Sequence, residues 1–202
     1  MVIRKIDFIF ALETRISRMT TRIKILDLAN ISSGLYLPVQ PLGNVNYLQV
    51  KDFSADTPTK IASKVEATPR VMKNLLHKGD ILLASKGVYM ATQYKDDAPA
   101  VASTSFFVLR VQSPAVLPEY LHWYLNQPQT EQWFKSQQQG TGILSIRKSV
   151  VEDLEVPVPS LETQRQVVAL GKLVKREYEL RTTIAEKERM LKEQILLKKI
   201  RK

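Results

Sequence analysis

The last proline of this 202-residue chain is Pro159, and the 43 residues from Ser160 onward contain one glycine, Gly171. A stretch that long without helix breakers has few options other than one continuous helix. Ser160 offers a side-chain cap for its start, and Pro157 and Pro159 hold the entry extended. Val167, Leu170, Val174, Ile184, Leu191 and Ile195 then fall on a seam spaced by threes and fours, interrupted by Glu177, Arg181, Glu188 and Lys198. A helix of about 40 residues is roughly 60 Å long, more than one small domain covers. The spacing therefore predicts an imperfect coiled coil whose seam meets a partner helix. Glu177, Arg181 and Glu188 would fix an antiparallel register. The other reading, a solvated helix docked on its own domain, leaves much of that seam uncovered.

Upstream the composition changes. All seven glycines lie between positions 34 and 171, and eight of the ten prolines lie between 38 and 128. Short strands and helices joined by turns are expected there. Asn46–Val50 and Asp80–Ala84 read as strands, and Thr104–Val111, apolar and aromatic, is the strongest strand. Pro118–Leu125 reads as an amphipathic helix with proline at its first turn. Gln137–Gly142 is a polar loop. The start, Met1 to Leu12, is basic with a short apolar stretch broken by Asp7. It reads as an amphipathic accessory segment rather than a signal peptide, and Met19 offers a second translation start. The expected organisation is thus an accessory segment at 1–22, a compact domain at 23–159 and a helix at 160–202.

Cysteine is absent and histidine occurs twice, at His77 and His122. This excludes a disulfide framework, a thiolate nucleophile and a Cys- or His-rich metal site. No run of 18 apolar residues exists, so no membrane-spanning segment is expected, and the lack of cysteine and of an export signal points to the cytoplasm. The formal net charge is +10, which points to nucleic acid or another acidic partner. The tail holds twelve basic and six acidic groups, while residues 57–95 hold seven basic against two acidic. One basic stretch on an otherwise near-neutral domain predicts one basic face.

Catalytic signatures are missing. There is no phosphate-binding P-loop, and Gly140–Lys148 has neither its spacing nor its order. No G-x-G-x-x-G opens a helix, and no Asp/Asn-Pro-Pro-aromatic motif of adenine methylation occurs. Glu119-Tyr-Leu-His122 is not a zinc-protease motif. Glu152, Asp153 and Glu155, with Val150, Val151 and Leu154 interleaved, read as a surface turn before a strand rather than a magnesium site. No nucleophile–base pair is recognisable. The chain reads as a binding module, with no metal and no cofactor of its own.

Several segments, taken in order, resemble a known family. Ile25–Gly34 is similar to the opening of a target recognition domain of type I restriction–modification specificity subunits. Gly79-Asp-Ile-Leu-Leu-Ala84 followed by Lys86-Gly87 resembles that family's glycine-aspartate strand, and Ala100-Val101 leading to Phe106–Arg110 its next strand. Pro118–Leu125 resembles its helix. Gly140-Thr141, Ile146, Leu154 and Val156–Pro159 are similar to its closing section, and Leu161–Val167 opens its long spacer helix. The family's usual Glu before Gln164 is Thr163 here. The usual subunit has two recognition domains and two spacer helices, whereas this chain has one of each.

The resemblance implies a mixed α/β fold: a compact recognition domain with a twisted, largely antiparallel sheet and short helices, then a long C-terminal coiled-coil helix. It implies a non-catalytic, sequence-specific DNA-recognition subunit that reads one half of a bipartite site in double-stranded DNA and docks adenine methyltransferase subunits. S-adenosylmethionine, ATP and magnesium would belong to the partner subunits, and the restriction subunit would be an indirect partner. Two copies pairing through their helices would rebuild a full subunit as a homodimer.

Phosphate contacts need Lys and Arg, and base edges need donors and acceptors. Lys60, Lys64, Arg70, Lys73 and Lys86 are the expected phosphate contacts. Tyr89, Gln93, Tyr94, Gln138 and Thr141 are the expected base readers, and Arg147 and Lys148 the expected clamp after the polar loop. Leu170, Val174, Ile184, Leu191 and Ile195 are the expected helix contact. A rival reading keeps the helix and drops the DNA: an orphan or truncated specificity chain acting only in assembly.

Overall fold

The computed structural model describes residues 21–40, 42–54, 57–58, 62–87, 89–137 and 144–200. Of the accessory segment expected at 1–22, only Thr21 and Arg22 fall among them. The chain divides into two units, Met1–Gln164 and Arg165–Lys202. The first opens with β1 (Thr21–Lys24), a single turn α1 (Ile25–Leu28) and β2 (Ala29–Ser33). It continues through β3 (Val45–Leu48), a 3-10 turn at Val50–Asp52, β4 (Phe53–Ser54), β5 (Thr57–Pro58), β6 (Ser63–Val65) and α2 (Pro69–Met72). Then come β7 (Ile81–Ala84), β8 (Lys86–Gly87), β9 (Ala91–Gln93), β10 (Ala100–Ala102) and β11 (Phe106–Val111). Helices α3 (Pro118–Leu125) and α4 (Pro128–Ser136), β12 (Leu144–Ser145), α5 (Lys148–Asp153), β13 (Glu155–Val158) and α6 (Leu161–Ile200) complete the order. Proline starts α2, α3 and α4, where its missing N–H has no intrahelical partner to lose.

The strands form several ladders rather than one sheet. Four strands run in the order β2-β11-β7-β9, all antiparallel. A second sheet, β10-β3-β6, contains a parallel pair, β10 with β3. The expected strand at Asn46–Val50 runs instead over Val45–Leu48, because Val50 enters the 3-10 turn. The acidic cluster is not a turn: Glu152 and Asp153 end α5, and Glu155 starts β13.

Strand periodicity explains the core. Residues two apart share a face, and Phe106 and Val108 on β11 join Leu82 and Ala84 on β7 in one apolar cluster with Ala100 and Ala102 of β10. Val101, between those alanines, turns into a second cluster with Val45, Tyr47, Val65 and Val71. Small residues on one face of β10 and valine on the other let a single short strand serve both sheets. Gly34 marks a close approach there: a Cβ would lie 2.0 Å from the Ser103 carbonyl oxygen.

The turn before β7 is built around Gly79 and Asp80. Gly79 has φ +99°, a conformation that glycine adopts without strain. Asp80 accepts the His77 N–H at 2.8 Å and meets the Arg110 guanidinium through Nε at 2.9 Å and an amino group at 2.7 Å. That pairing holds the Arg110 pKa above its ordinary value.

The first turn of α6 belongs to the globular unit. Ser160 caps it, with its hydroxyl accepting the Thr163 N–H at 3.3 Å. Thr163, standing where the resembling family has Glu, also shares a 3.0 Å hydroxyl–hydroxyl bond with Ser160. One turn in, Gln164 is completely buried. Its carbonyl accepts the Leu117 N–H, and its amide donates to the carbonyls of Ala115 and Pro159, each at 2.8 Å. Gln164→Leu would leave one donor and two acceptors unpaired in the interior. Each unpaired buried group costs about 1–3 kcal/mol, so the variant is expected to unfold at least about 3 kcal/mol more easily. Urea denaturation followed by tryptophan fluorescence checks this, and a loss under 1 kcal/mol would show that water replaces the side chain.

Candidate nucleic-acid interface

The expected DNA-contacting residues separate into four groups. Lys60, Gln138 and Thr141 lie outside the described residues. Lys64, Arg70 and Lys73 lie on β6 and α2. Lys64 is half-buried and bonds Asn46 Oδ1 across the strand pair at 2.6 Å, whereas Arg70 and Lys73 are exposed. Lys73 is the C-cap of α2.

Lys86 and Arg147 come together through a small ribbon. β8 pairs with β12, placing Lys86 opposite Ser145, and Arg147 follows two residues later. The ribbon is pinned because the Ile146 N–H bonds the Ser85 carbonyl at 2.8 Å and the Ile146 side chain is buried. Both cations stay exposed, on the ribbon that leads directly from the Gln138–Thr141 segment. Lys148 starts α5 and pairs with Glu152 one turn on, at 3.4 Å. It also lines a cavity of about 300 Å³ with Asn30 and Gln112.

The two tyrosines point inward. Two backbone bonds, Tyr94 N–H to Asp80 and Gly79 N–H to Tyr94, extend the β7–β9 ladder by one residue pair. Tyr94 therefore shares a face with Leu82 and joins the core at 8% exposure, its hydroxyl donating to the Ala98 carbonyl. Tyr89 packs on Phe134 with ring centroids 5.6 Å apart and donates to the Leu125 carbonyl. Burial raises its phenol pKa well above the ordinary value. Tyr94 is buried, and Tyr89 is half-buried against Phe134. Gln93 stays half-buried at the end of the edge strand β9.

Sequence reasoning missed a further set of polar residues. Asn30, Ser32 and Ser33 on β2, Asn74 after α2, and Arg110 on β11 surround a cavity with Lys73. Arg110 is the one charge in its apolar strand, and Asn30 and Ser32 alternate with buried Ala29 and Ile31. That period of two was the available signal. Among the described residues no group of three or more His, Asp or Glu is placed to hold a metal ion. Nor is any described helix long and apolar enough to cross a membrane.

On the second unit, Leu170, Val174, Ile184, Leu191 and Ile195 are all exposed, with Ile184 and Leu191 at 57% each. Leu173 and Leu180 are exposed beside them, which widens the seam over its first half. Two of the polar seam residues are paired within the helix, with Arg181 bonding Glu177 at 2.6 Å.

Residues 21–187 match the type I restriction modification DNA specificity domain. The chain belongs to that family. It is 26% identical over 92 residues to the type I restriction enzyme MjaVIII specificity subunit of Methanocaldococcus jannaschii, a match covering 46% of this chain and 18% of that protein. The fold is similar to a chain in a structure on complex assembly and conformational transition of the type I R-M system, with TM-score 0.68 and 20% identity, covering 86% of this chain and 43% of that one. It is also similar to the HsdS subunit from Thermoanaerobacter tengcongensis, with TM-score 0.58 and 16% identity, covering 87% of this chain and 45% of that one. The S subunit from M. genitalium gives TM-score 0.54 and 19% identity, covering 79% and 40%. The chain thus spans less than half the length of these family members.

Proposed function

We propose that this chain is the DNA-reading component of a type I restriction–modification complex. In this reading the globular unit recognises one half of a bipartite site, and α6 docks methyltransferase subunits and pairs with α6 of a second copy. The full target is then palindromic with a fixed spacer. Catalysis, with its S-adenosylmethionine, ATP and magnesium, belongs to the partners.

The observation that carries the reading is the exposed pair Lys86 and Arg147 on the pinned β8–β12 ribbon. The paired backbone presents two exposed cations close together, as phosphate contacts require. Lys86→Ala with Arg147→Ala is expected to weaken binding to all sequences alike. Removing one phosphate-binding cation lowers the slope of log affinity against log salt by about 0.9. DNA titrations at several salt concentrations check this, and an unchanged slope removes the ribbon from the DNA face. Capture of methyltransferase by an unmodified chain that retains no DNA would instead select the assembly-only reading.

A further inference from the structure

β2 is an open edge of the four-stranded sheet. The Gly34 N–H bonds the Phe106 carbonyl at 3.0 Å, and the Leu28 carbonyl accepts the Gln112 N–H, also at 3.0 Å. In an antiparallel ladder this parity turns the backbone groups of Asn30 and Ser32 toward β11 and those of Ile31 and Ser33 outward. Beside this edge lies a cavity of about 200 Å³, lined by Asn30, Ser32, Ser33, Lys73, Asn74 and Arg110 with a few apolar neighbours. None of the lining residues carries a carboxylate. Asp80, the partner of Arg110, is buried and does not line it.

The chemistry of the lining is one-sided. Arg110 uses Nε and Nη2 on Asp80 and the Leu75 carbonyl, Nη1 takes part in none of these bonds, and 37% of the side chain is exposed. Lys73 adds three donors, Ser32 and Ser33 add hydroxyls, and Asn30 adds an amide, while the Asn74 amide already donates one bond to the Arg70 carbonyl at 2.8 Å. An apolar occupant would leave these groups unpaired, at a cost in binding. An oxyanion with acceptors on every side satisfies them, and charge-assisted bonds from Arg and Lys are the stronger kind. The sequence places no phosphate-binding motif here, because the groups come from three separate segments.

We propose that this cavity is a phosphate-group site, with Arg110 and Lys73 as its cations, and that it seats one phosphodiester of the DNA backbone. The choice of DNA as the source of the phosphate rests on the function proposed above. The site fixes the position of the backbone on the sheet edge and leaves base reading to other residues.

The test uses the full chain and two variants at exposed positions, Ser32→Asp with Ser33→Asp, and Lys73→Ala alone. Inorganic phosphate is titrated at constant ionic strength while amide NMR signals of residues 30–34 and 73–74 are followed. DNA affinity is measured in parallel against salt. Saturable phosphate shifts in the unmodified chain that vanish in both variants support the site. A DNA affinity about tenfold to a hundredfold lower in the double variant, with a slope reduced by about 0.9 in Lys73→Ala, identifies the backbone as the source. That DNA result supports the proposal even without a response to inorganic phosphate, since one free anion binds more weakly than a tethered one. If phosphate shifts appear but no chain binds DNA, the site stands with a free phosphate compound as its ligand, and the DNA-reading function falls. The proposal is overturned if phosphate produces no shifts and both variants bind DNA like the unmodified chain, whatever the β8–β12 ribbon variant does.

Discussion

Arg110→Met is expected to destabilise the globular unit by about 3 kcal/mol, the low end of what breaking a buried ion pair costs. The cost lies with the partner left behind. Asp80 is 2% exposed, and without the guanidinium its carboxylate keeps one bond, from the His77 N–H. Arg110 is 37% exposed, so water partly screens the pair, which is why the low end applies. The reverse change, Asp80→Asn, leaves a half-exposed guanidinium that water can reach, and a neutral side chain in the buried position. It is expected to cost less, about 1–2 kcal/mol. Urea denaturation of both variants measures the asymmetry. Equal losses would mean that the shape of the Gly79–Asp80 turn, not the stranded charge, sets the cost.

The second large effect is expected in the helix. Fully burying one leucine or isoleucine stabilises by roughly 1.5–3 kcal/mol, and a two-fold axis uses each seam position twice. Ile184→Asp with Leu191→Asp places four carboxylates in a paired seam, at several kcal/mol in total. If α6 pairs and docks as proposed above, the dimer dissociates and methyltransferase docking fails with it. The first unit stays folded, because its buried apolar residues, among the described residues, lie between Ile25 and Val156 and precede α6. Light scattering with circular dichroism checks both halves of the statement. An unmodified chain that is monomeric at tens of micromolar, about the range populated by a 7 kcal/mol interface, would assign the seam to a different partner.

The long helix was readable from sequence because its signals are local: no proline, one glycine, and a capping serine behind two prolines. The strand at Phe106–Val111 was readable for the same reason, since β-branched and aromatic residues in a row leave little alternative. Tyr89 and Tyr94 were not, because they lie close in sequence to Lys86 and Lys95, and a basic neighbourhood with aromatics resembles a base-stacking surface. Their orientation is set by ladder parity and by α4, neither of which is a local property. The same holds for Arg110. Alternation marks its face, but the Lys73 and Asn74 that line the cavity with it come from a turn 37 and 36 residues earlier. Glu177 and Arg181 read as register-fixing contacts between helices, yet they are one turn apart and satisfy each other on a single helix.

β1 and β13 lie side by side in an antiparallel pair, with Thr21 opposite Val158 and Lys24 opposite Glu155. The chain therefore enters and leaves the globular unit through the same doorway. A unit with adjoining ends is a natural cassette, because it can be cut out and grafted elsewhere with both joints at one place. On the function proposed above, exchanging everything between the two strands would change what is read and leave α6 as it was. New specificities can then arise by swapping one block of sequence, with no need to rebuild the scaffold that uses it.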